Sequence, residues 1–451
     1  MLREPAAATI VLRIATDMNE TSQPQQHPDW CYSAVLYEMN VRQLTREGTL
    51  RAAEQRLEFL HDMGIDAVWL MPIYPIGVEC RKGSLGSYYS IRDYCAVNEE
   101  FGTMEDFDSF VAKAHSLGMK VLLDWVANHT SRDAVWTHDR PLDWYERNED
   151  GTARVPWDWT DTAKLNYANH DVWRGQIEAM RFWVERHGVD GFRCDMAMLV
   201  PIEFWQEVSS VLHAVRPDIF LLAEAEELNL FDRAFDASYT WEIHHMMCDM
   251  AKGARRVWDL RNTLYSARAK YPSSAIRLTF TSNHDENSWS GSEFARFGAA
   301  LGVMTALTFL WEGSMPLIYT GQEIGYDHSF AFFDRDPIAA DYRANYYTEG
   351  YRKLIALKHA EAALRAGELG GRTIEIENNA KDCIMTFVRE CGESRVVALL
   401  NLSPYTIHAD FNTGIYAGHY VDAMTGADHL LPSHVERDMQ PWSFTILHRP
   451  H

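Results

Sequence analysis

Cysteine is scarce and scattered. The seven residues (Cys31, Cys80, Cys95, Cys194, Cys248, Cys383 and Cys391) are an odd number without a CxxC pair. This argues against a disulfide framework or a cysteine-based zinc site, and a reducing, cytoplasmic compartment is expected. No run of ~18 apolar residues occurs, so no transmembrane helix is expected. Ala6–Leu12 is apolar, but Arg13 cuts it short and no cleavage site follows, so it does not read as a signal peptide. Positive charge is also in short supply, with 42 Lys+Arg against 64 Asp+Glu and a net charge of −22. Without a basic stripe, neither nucleic acid nor an anionic membrane is expected as a partner.

What is present is ordinary globular material. Hydrophobic residues make up 47% and charged residues 24% of the 451, which excludes a disordered chain. At ~150 residues per domain the length allows two or three domains, although one barrel can use ~250. Residues 1–30 are polar and Pro/Gln-rich toward their end, and read as an N-terminal extension. From Ala34 onward, short apolar runs alternate with helical periodicity. Ala34–Tyr37 reads as a strand, and Ala53, Leu57 and Leu60 mark a helix face that stops at Gly64. Ala67–Leu70 is the second strand. Phe107, Phe110, Val111, Ala114 and Leu117 then recur at helical steps after a Thr103/Asp106 capping box. Further strands fit Val121–Leu123, Gly191–Cys194, Ile219–Ala223, Ala237–Tyr239, Ile276–Thr281 and Leu317–Tyr319. Helices are expected around Val172–Glu185, Ile202–Val215 and Ala295–Phe309.

Such repeated βα units make a parallel sheet covered on both faces, and about eight units favour a closed (β/α)8 barrel over an open sheet. The barrel is expected over residues 31–365. The long Trp-, Asp- and Arg-rich connection after the third strand reads as a short inserted domain, 129–166. After Leu369 helical periodicity stops. Thr373–Ile376, Ile384–Val388, Val396–Asn401 and Phe444–Leu447 read as antiparallel strands of a C-terminal β-sandwich, 366–451.

In a parallel barrel, reactive groups sit at the C-terminal ends of strands. Those ends carry Asp124, Asn128 and His129; Arg193 and Asp195; Glu224; Asn283, His284 and Asp285; and Gln322 and Glu323. Carboxylates crowded on one rim push their pKa values apart, so that one can remain protonated while another is ionised. Retaining glycoside hydrolysis uses such a set, with a nucleophilic carboxylate and an acid ~5–5.5 Å apart. An arginine beside the nucleophile keeps it ionised, and two neutral histidines can donate hydrogen bonds to sugar hydroxyls. Cys194 alternates with Arg193 and Asp195 and should face the core. Trp136, Trp144, Trp157 and Trp159, in the long loop, are candidate sugar platforms.

Leu122–His129, Gly191–Asp195, Ala223–Glu226 and Phe280–Asp285, in that order, resemble the four motifs of the α-amylase family of glycoside hydrolases. Met315–Glu323 resembles its eighth-strand segment, and Ser87–Tyr94 resembles the loop whose tyrosine stacks on the sugar at the cleavage point. The resemblance runs from about Ala34 to the C-terminus. It implies Asp195 as nucleophile, Glu224 as general acid/base and Asp285 as transition-state stabiliser. It implies Tyr89, His129, Arg193 and His284 as substrate-binding residues, and Asp124 as a supporting carboxylate. The implied activity is cleavage of α-glucosidic bonds in oligosaccharide substrates, with no cofactor required. Asn128 ligates calcium in many relatives, so a structural Ca2+ is a possible addition. The sequence also departs from the family. Met198 and Leu199 stand where many members have Lys-His, and Glu226 stands where an aromatic is usual. These changes bear on the acceptor side, so transglycosylation or isomerisation stays open beside hydrolysis. A non-catalytic binding role would imply a lost acid, and none is lost. Asp334–Pro337 is a candidate contact to the next sugar. Linkage, endo or exo attack and oligomeric state stay open.

Overall fold

The computed structural model describes residues 27–450. Of the expected N-terminal extension, residues 1–26 lie outside the described residues. His27 to Trp30 pack against the barrel: His27 hydrogen-bonds Asp236 (2.9 Å) and the Ser274 carbonyl (3.1 Å), and the Trp30 ring lies 5.1 Å from that of Phe220.

Eight parallel strands close into a barrel in sequence order: β1 (Leu36–Met39), β2 (Ala67–Leu70), β3 (Lys120–Trp125), β4 (Gly191–Cys194), β5 (Phe220–Ala223), β6 (Ala237–Tyr239), β7 (Ile276–Thr279) and β8 (Ser314–Tyr319). Strand β1 pairs with β8 through Leu36–Leu317, Tyr37–Ile318 and Glu38–Tyr319, which completes the ring. The period-2 pattern assigns the faces. Leu36, Trp69, Leu122, Leu222, Leu278 and Leu317 form one buried cluster, while their neighbours Tyr37, Val68, Leu123 and Leu221 join the larger cluster packed with the helices. Gly191 is needed at the β4–β5 seam, since a Cβ there would lie 2.2 Å from the Phe220 carbonyl oxygen.

The helix Met104–Ser116 starts with the expected capping box: Thr103 Oγ1 accepts from Asp106 N–H (3.3 Å) and Asp106 Oδ2 accepts from Thr103 N–H (2.9 Å). Helices at His170–His187 and Ile202–Val215 cover their expected segments. The expected helix Ala295–Phe309 is instead divided into Glu293–Phe297, a 3-10 turn at Gly298–Ala300, and Leu301–Leu310. Glu293–Leu310 has the length and apolar composition of a membrane span, yet 67% of it is buried inside the protein, as a core helix would be. Strand β1 runs two residues later than the sequence pattern suggests, and β8 begins three residues earlier.

In the insertion, His129–Ser131 pairs antiparallel with Thr162–Lys164 over a small core of Trp144, Tyr145, Ala163, Leu165 and Val172. After the barrel, six antiparallel strands form one sheet and Ile407–Asn412 pairs with His434–Met439 in a second. Val388, Val397, Leu399, Phe411, Val435 and Leu447 fill the space between them. The strands Ile407–Asn412, Gly418–Asp422, Asp428–Leu431 and His434–Met439 were not evident from sequence.

Candidate active site

A cavity of about 290 Å³ opens at the C-terminal rim of the barrel, lined by Tyr89, His129, Asp195, Glu224, His284 and Asp285 among others. Each wall residue is fixed by the chain beneath it. Asp195 N–H donates to the Trp125 carbonyl (2.9 Å), and Glu224 N–H donates to the Cys194 carbonyl (3.0 Å), extending the barrel ladder past β4 and β5. His284 and Asp285 open the short helix His284–Ser290, which Asn283 caps by accepting from Glu286 N–H (2.8 Å). His129 begins the first strand of the insertion.

Arg193 organises the floor. Its guanidinium is fully buried, with Nη1 3.0 Å from Asp124 Oδ1 and 3.1 Å from Asp195 Oδ1, and Nη2 2.9 Å from Glu224 Oε2. The first two are hydrogen bonds; the contact to Glu224 misses hydrogen-bond alignment and acts through charge. Nε donates to Tyr239 OH at 3.2 Å. Asp124, itself buried, accepts from Trp69 Nε1 (3.1 Å) and Tyr89 OH (3.0 Å), so it supports the arginine and tyrosine and does not line the cavity. Met196 adopts a left-handed backbone conformation (φ 42°), rare for a side chain of its size, and its N–H donates to Glu224 Oε2 at 2.8 Å. The residue after Asp195 thus grips Glu224.

Electrostatics separate the two histidines. Burial pushes His129 down to about 4, so it is neutral near pH 7. Burial also opposes charge on His284, but the Asp285 and Glu38 carboxylates overcome this and raise it to about 9. The expectation of two neutral histidines therefore does not extend to His284, whose carboxylate neighbours favour the charged ring. Burial raises both Asp195 and Glu224; Glu224 further raises Asp195 and Asp285 further raises Glu224, while Arg193 draws both down. Buried carboxylates sharing one cation in this way titrate as a set.

The remaining sequence candidates divide. Trp159 lines the cavity with its ring 5.2 Å from His129, and Trp157 is 61% exposed and packs on it. Trp136 and Trp144 are not platforms, because they pack in the core of the insertion. Asp334 accepts from Ser84 N–H (2.8 Å) and Asp336 pairs with His328 (2.7 Å); neither lines the cavity, whereas Phe332 and Phe333 just before them do. Cys194 is buried in the core, as the alternation requires. Glu226 points away from the acids to Arg277 (3.1 Å). Lys82, Asp158, Asp161, Trp289, Phe332 and Phe333 also line the cavity and were missed. Glu38 was missed as well, although it directly follows an apolar run as Asp124 does.

Calcium takes six to eight oxygen ligands. Asn128 instead turns its Nδ2 to His129 Nδ1 (3.1 Å), and among the described residues no three His, Cys, Asp or Glu gather to hold a metal. No step is assigned to a metal.

Comparison with known proteins agrees with this architecture. Residues 16–350 match the family model for the alpha amylase catalytic domain. Alpha-amylase MalA of Haloarcula japonica is 28% identical over 431 residues, covering 90% of this chain; the chain spans only 61% of that relative. Among solved structures, the maltogenic alpha-amylase AmyB of Thermotoga neapolitana has a TM-score of 0.84 at 28% identity, covering 94% of this chain and 100% of that one. An alpha-amylase from Lactobacillus plantarum has a TM-score of 0.83 at 29% identity, covering 93% and 100%. With a rim of acids gathered on one buried arginine and a family model matched across the barrel, this chain belongs to the alpha-amylase family.

Proposed function

We propose that this protein is a retaining hydrolase of α-glucosidic bonds in maltooligosaccharides or related α-glucans. The observation that carries the reading is the bridging of Asp195 and Glu224 by one guanidinium, with Asp285 on the same cavity wall. Asp195 attacks the anomeric carbon as the glycosidic C–O bond breaks, and Glu224 gives its proton to the leaving oxygen. The product of this step is a glycosyl ester on Asp195. Glu224, now a carboxylate, takes a proton from water; the hydroxide attacks the anomeric carbon and releases Asp195. Arg193 favours the ionised nucleophile, and Asp285 accepts from sugar hydroxyls, which donate more strongly as positive charge develops on the ring. His129 and Tyr89 border the same ring, with Trp159 as its platform. The seven free cysteines support a reducing, cytoplasmic setting.

The test is chromatography of products from maltoheptaose, with Asp195→Asn as control. Shorter maltooligosaccharides from the native protein and none from the variant are expected. Products longer than the substrate, or a trehalose- or sucrose-type disaccharide, would reassign the second step to a sugar acceptor. Turnover by Asp195→Asn equal to native would refute the reading.

A further inference from the structure

Glu38 lies at the end of β1, is wholly buried, and has no part in the bond-breaking steps above. Its Oε1 is 2.5 Å from His284 Nδ1, while its Oε2 has no hydrogen-bond partner at all. On the other side of the imidazole, Nε2 is 2.7 Å from Tyr89 OH. The direction of that bond can be worked out. Tyr89 has one proton, and donates it to Asp124 Oδ2 (3.0 Å). Asp124 also receives Arg193 Nη1 and Trp69 Nε1, a surrounding made of donors. The Tyr89 oxygen must therefore accept, so His284 Nε2 carries a hydrogen. Nδ1 faces a carboxylate, so it carries one too.

We propose that Glu38 is a positioning residue that fixes His284 as the doubly protonated imidazolium and, through it, sets the hydroxyl of Tyr89 in the cleavage subsite. The wire runs Glu38, His284, Tyr89, Asp124, Arg193, and joins the first barrel strand to the cation that holds the acids. Every neighbour of His284 enters the balance. Asp285 stands 3.4 Å from Nε2 and favours the cation with Glu38, while Arg193 opposes it. Asp124 and Glu224 add negative charge nearby. The Tyr89 ring stacks on the imidazole at 5.3 Å, and the Trp69 edge meets it at 5.9 Å. With the charge on Glu38 removed, the ring keeps a hydrogen-bond acceptor but loses its buried counter-ion.

This deepens the glycosidase reading and rests on it for the kinetic readout alone. The experiment uses the full chain and Glu38→Gln, with two measurements. The first is 15N NMR of labelled histidine side chains, with the His284 signals assigned by their loss in His284→Gln. The native protein is expected to show both His284 nitrogens protonated at pH 7.5, and Glu38→Gln is expected to show a neutral ring. The second is kcat/KM against pH on maltoheptaose. The alkaline limb is expected to move about two pH units toward acid in Glu38→Gln. That gives about a twentyfold loss at pH 8.5, against little loss at pH 5.5. Loss of activity by the same factor at every pH would mark a merely structural role and overturn the proposal. A neutral His284 in the native protein at pH 7.5 also overturns it, even if Glu38→Gln does not fold. Absence of turnover on any glucan would refute the glycosidase reading while the NMR result still decides on Glu38.

Discussion

Arg193→Met is the sharpest perturbation of the cleft. Methionine keeps much of the length of the arginine stem but removes the cation from Asp124, Asp195 and Glu224, which lie 3.0, 3.1 and 2.9 Å from it. Each charge-assisted hydrogen bond is worth ~1.5–3 kcal/mol, and the orphaned acids recover part of that loss by taking up protons. Breaking a buried ion pair costs ~3–5 kcal/mol, which sets the expected loss here. At ~2 °C per kcal/mol for a large domain, Tm should fall by about 6–10 °C. The sign with pH follows from linkage. Without Arg193 the buried acids have folded pKa values above their unfolded ones, so the folded state binds extra protons. That contribution is present at low pH and disappears as pH rises through the raised values. The deficit against the native protein should therefore be larger at pH 8 than at pH 5. Calorimetric scans at both pH values measure it, with maltoheptaose turnover alongside; kcat should fall on the order of a thousandfold, ~4 kcal/mol of barrier. A Tm change under ~2 °C that is the same at both pH values would refute the charge-based account of the floor.

Two further outcomes test the fold. Gly191→Ala sets a Cβ 2.2 Å from the Phe220 carbonyl oxygen and 2.7 Å from Leu122, so β4 must move away from β5; thermal melting should show a loss of ~1–3 kcal/mol together with reduced kcat, because Arg193 and Asp195 ride on that strand. Thr103→Ala removes one half of the capping box far from the rim, and should cost ~1 kcal/mol in a denaturant titration while leaving kcat and KM unchanged.

The rim was legible in the sequence because its information is local. Each strand is an apolar run, and the reactive residue follows it directly, as with Asp195 after Gly191–Cys194 and Glu224 after Phe220–Ala223. Glu38 directly follows the apolar run Ala34–Tyr37 but lies within β1, Leu36–Met39, and it was passed over. The charge of His284 could not be read at all, since its partner stands 246 residues away. In the C-terminal domain, Ile384–Cys391 and Ser394–Asn401 are largely or wholly buried and announce themselves as apolar runs. Ile407–Asn412 and His434–Met439 alternate exposed polar residues such as His408 and Glu436 with buried ones, and their short mixed patterns resemble loops until the partner strand is seen. Trp136 and Trp144 show the opposite error: composition marked them for ligand binding, and packing claimed them for the core of the insertion.

Closure of the ring has a consequence during synthesis. The first staves, Leu36–Met39, find their last neighbour only when Ser314–Tyr319 has left the ribosome. Until then the sheet of the nascent chain has two unpaired edges, and the strand that carries Glu38 lacks its last neighbour. A growing polypeptide of this kind completes its rim late and all at once, so fragments ending before residue 319 should be inert in the maltoheptaose assay.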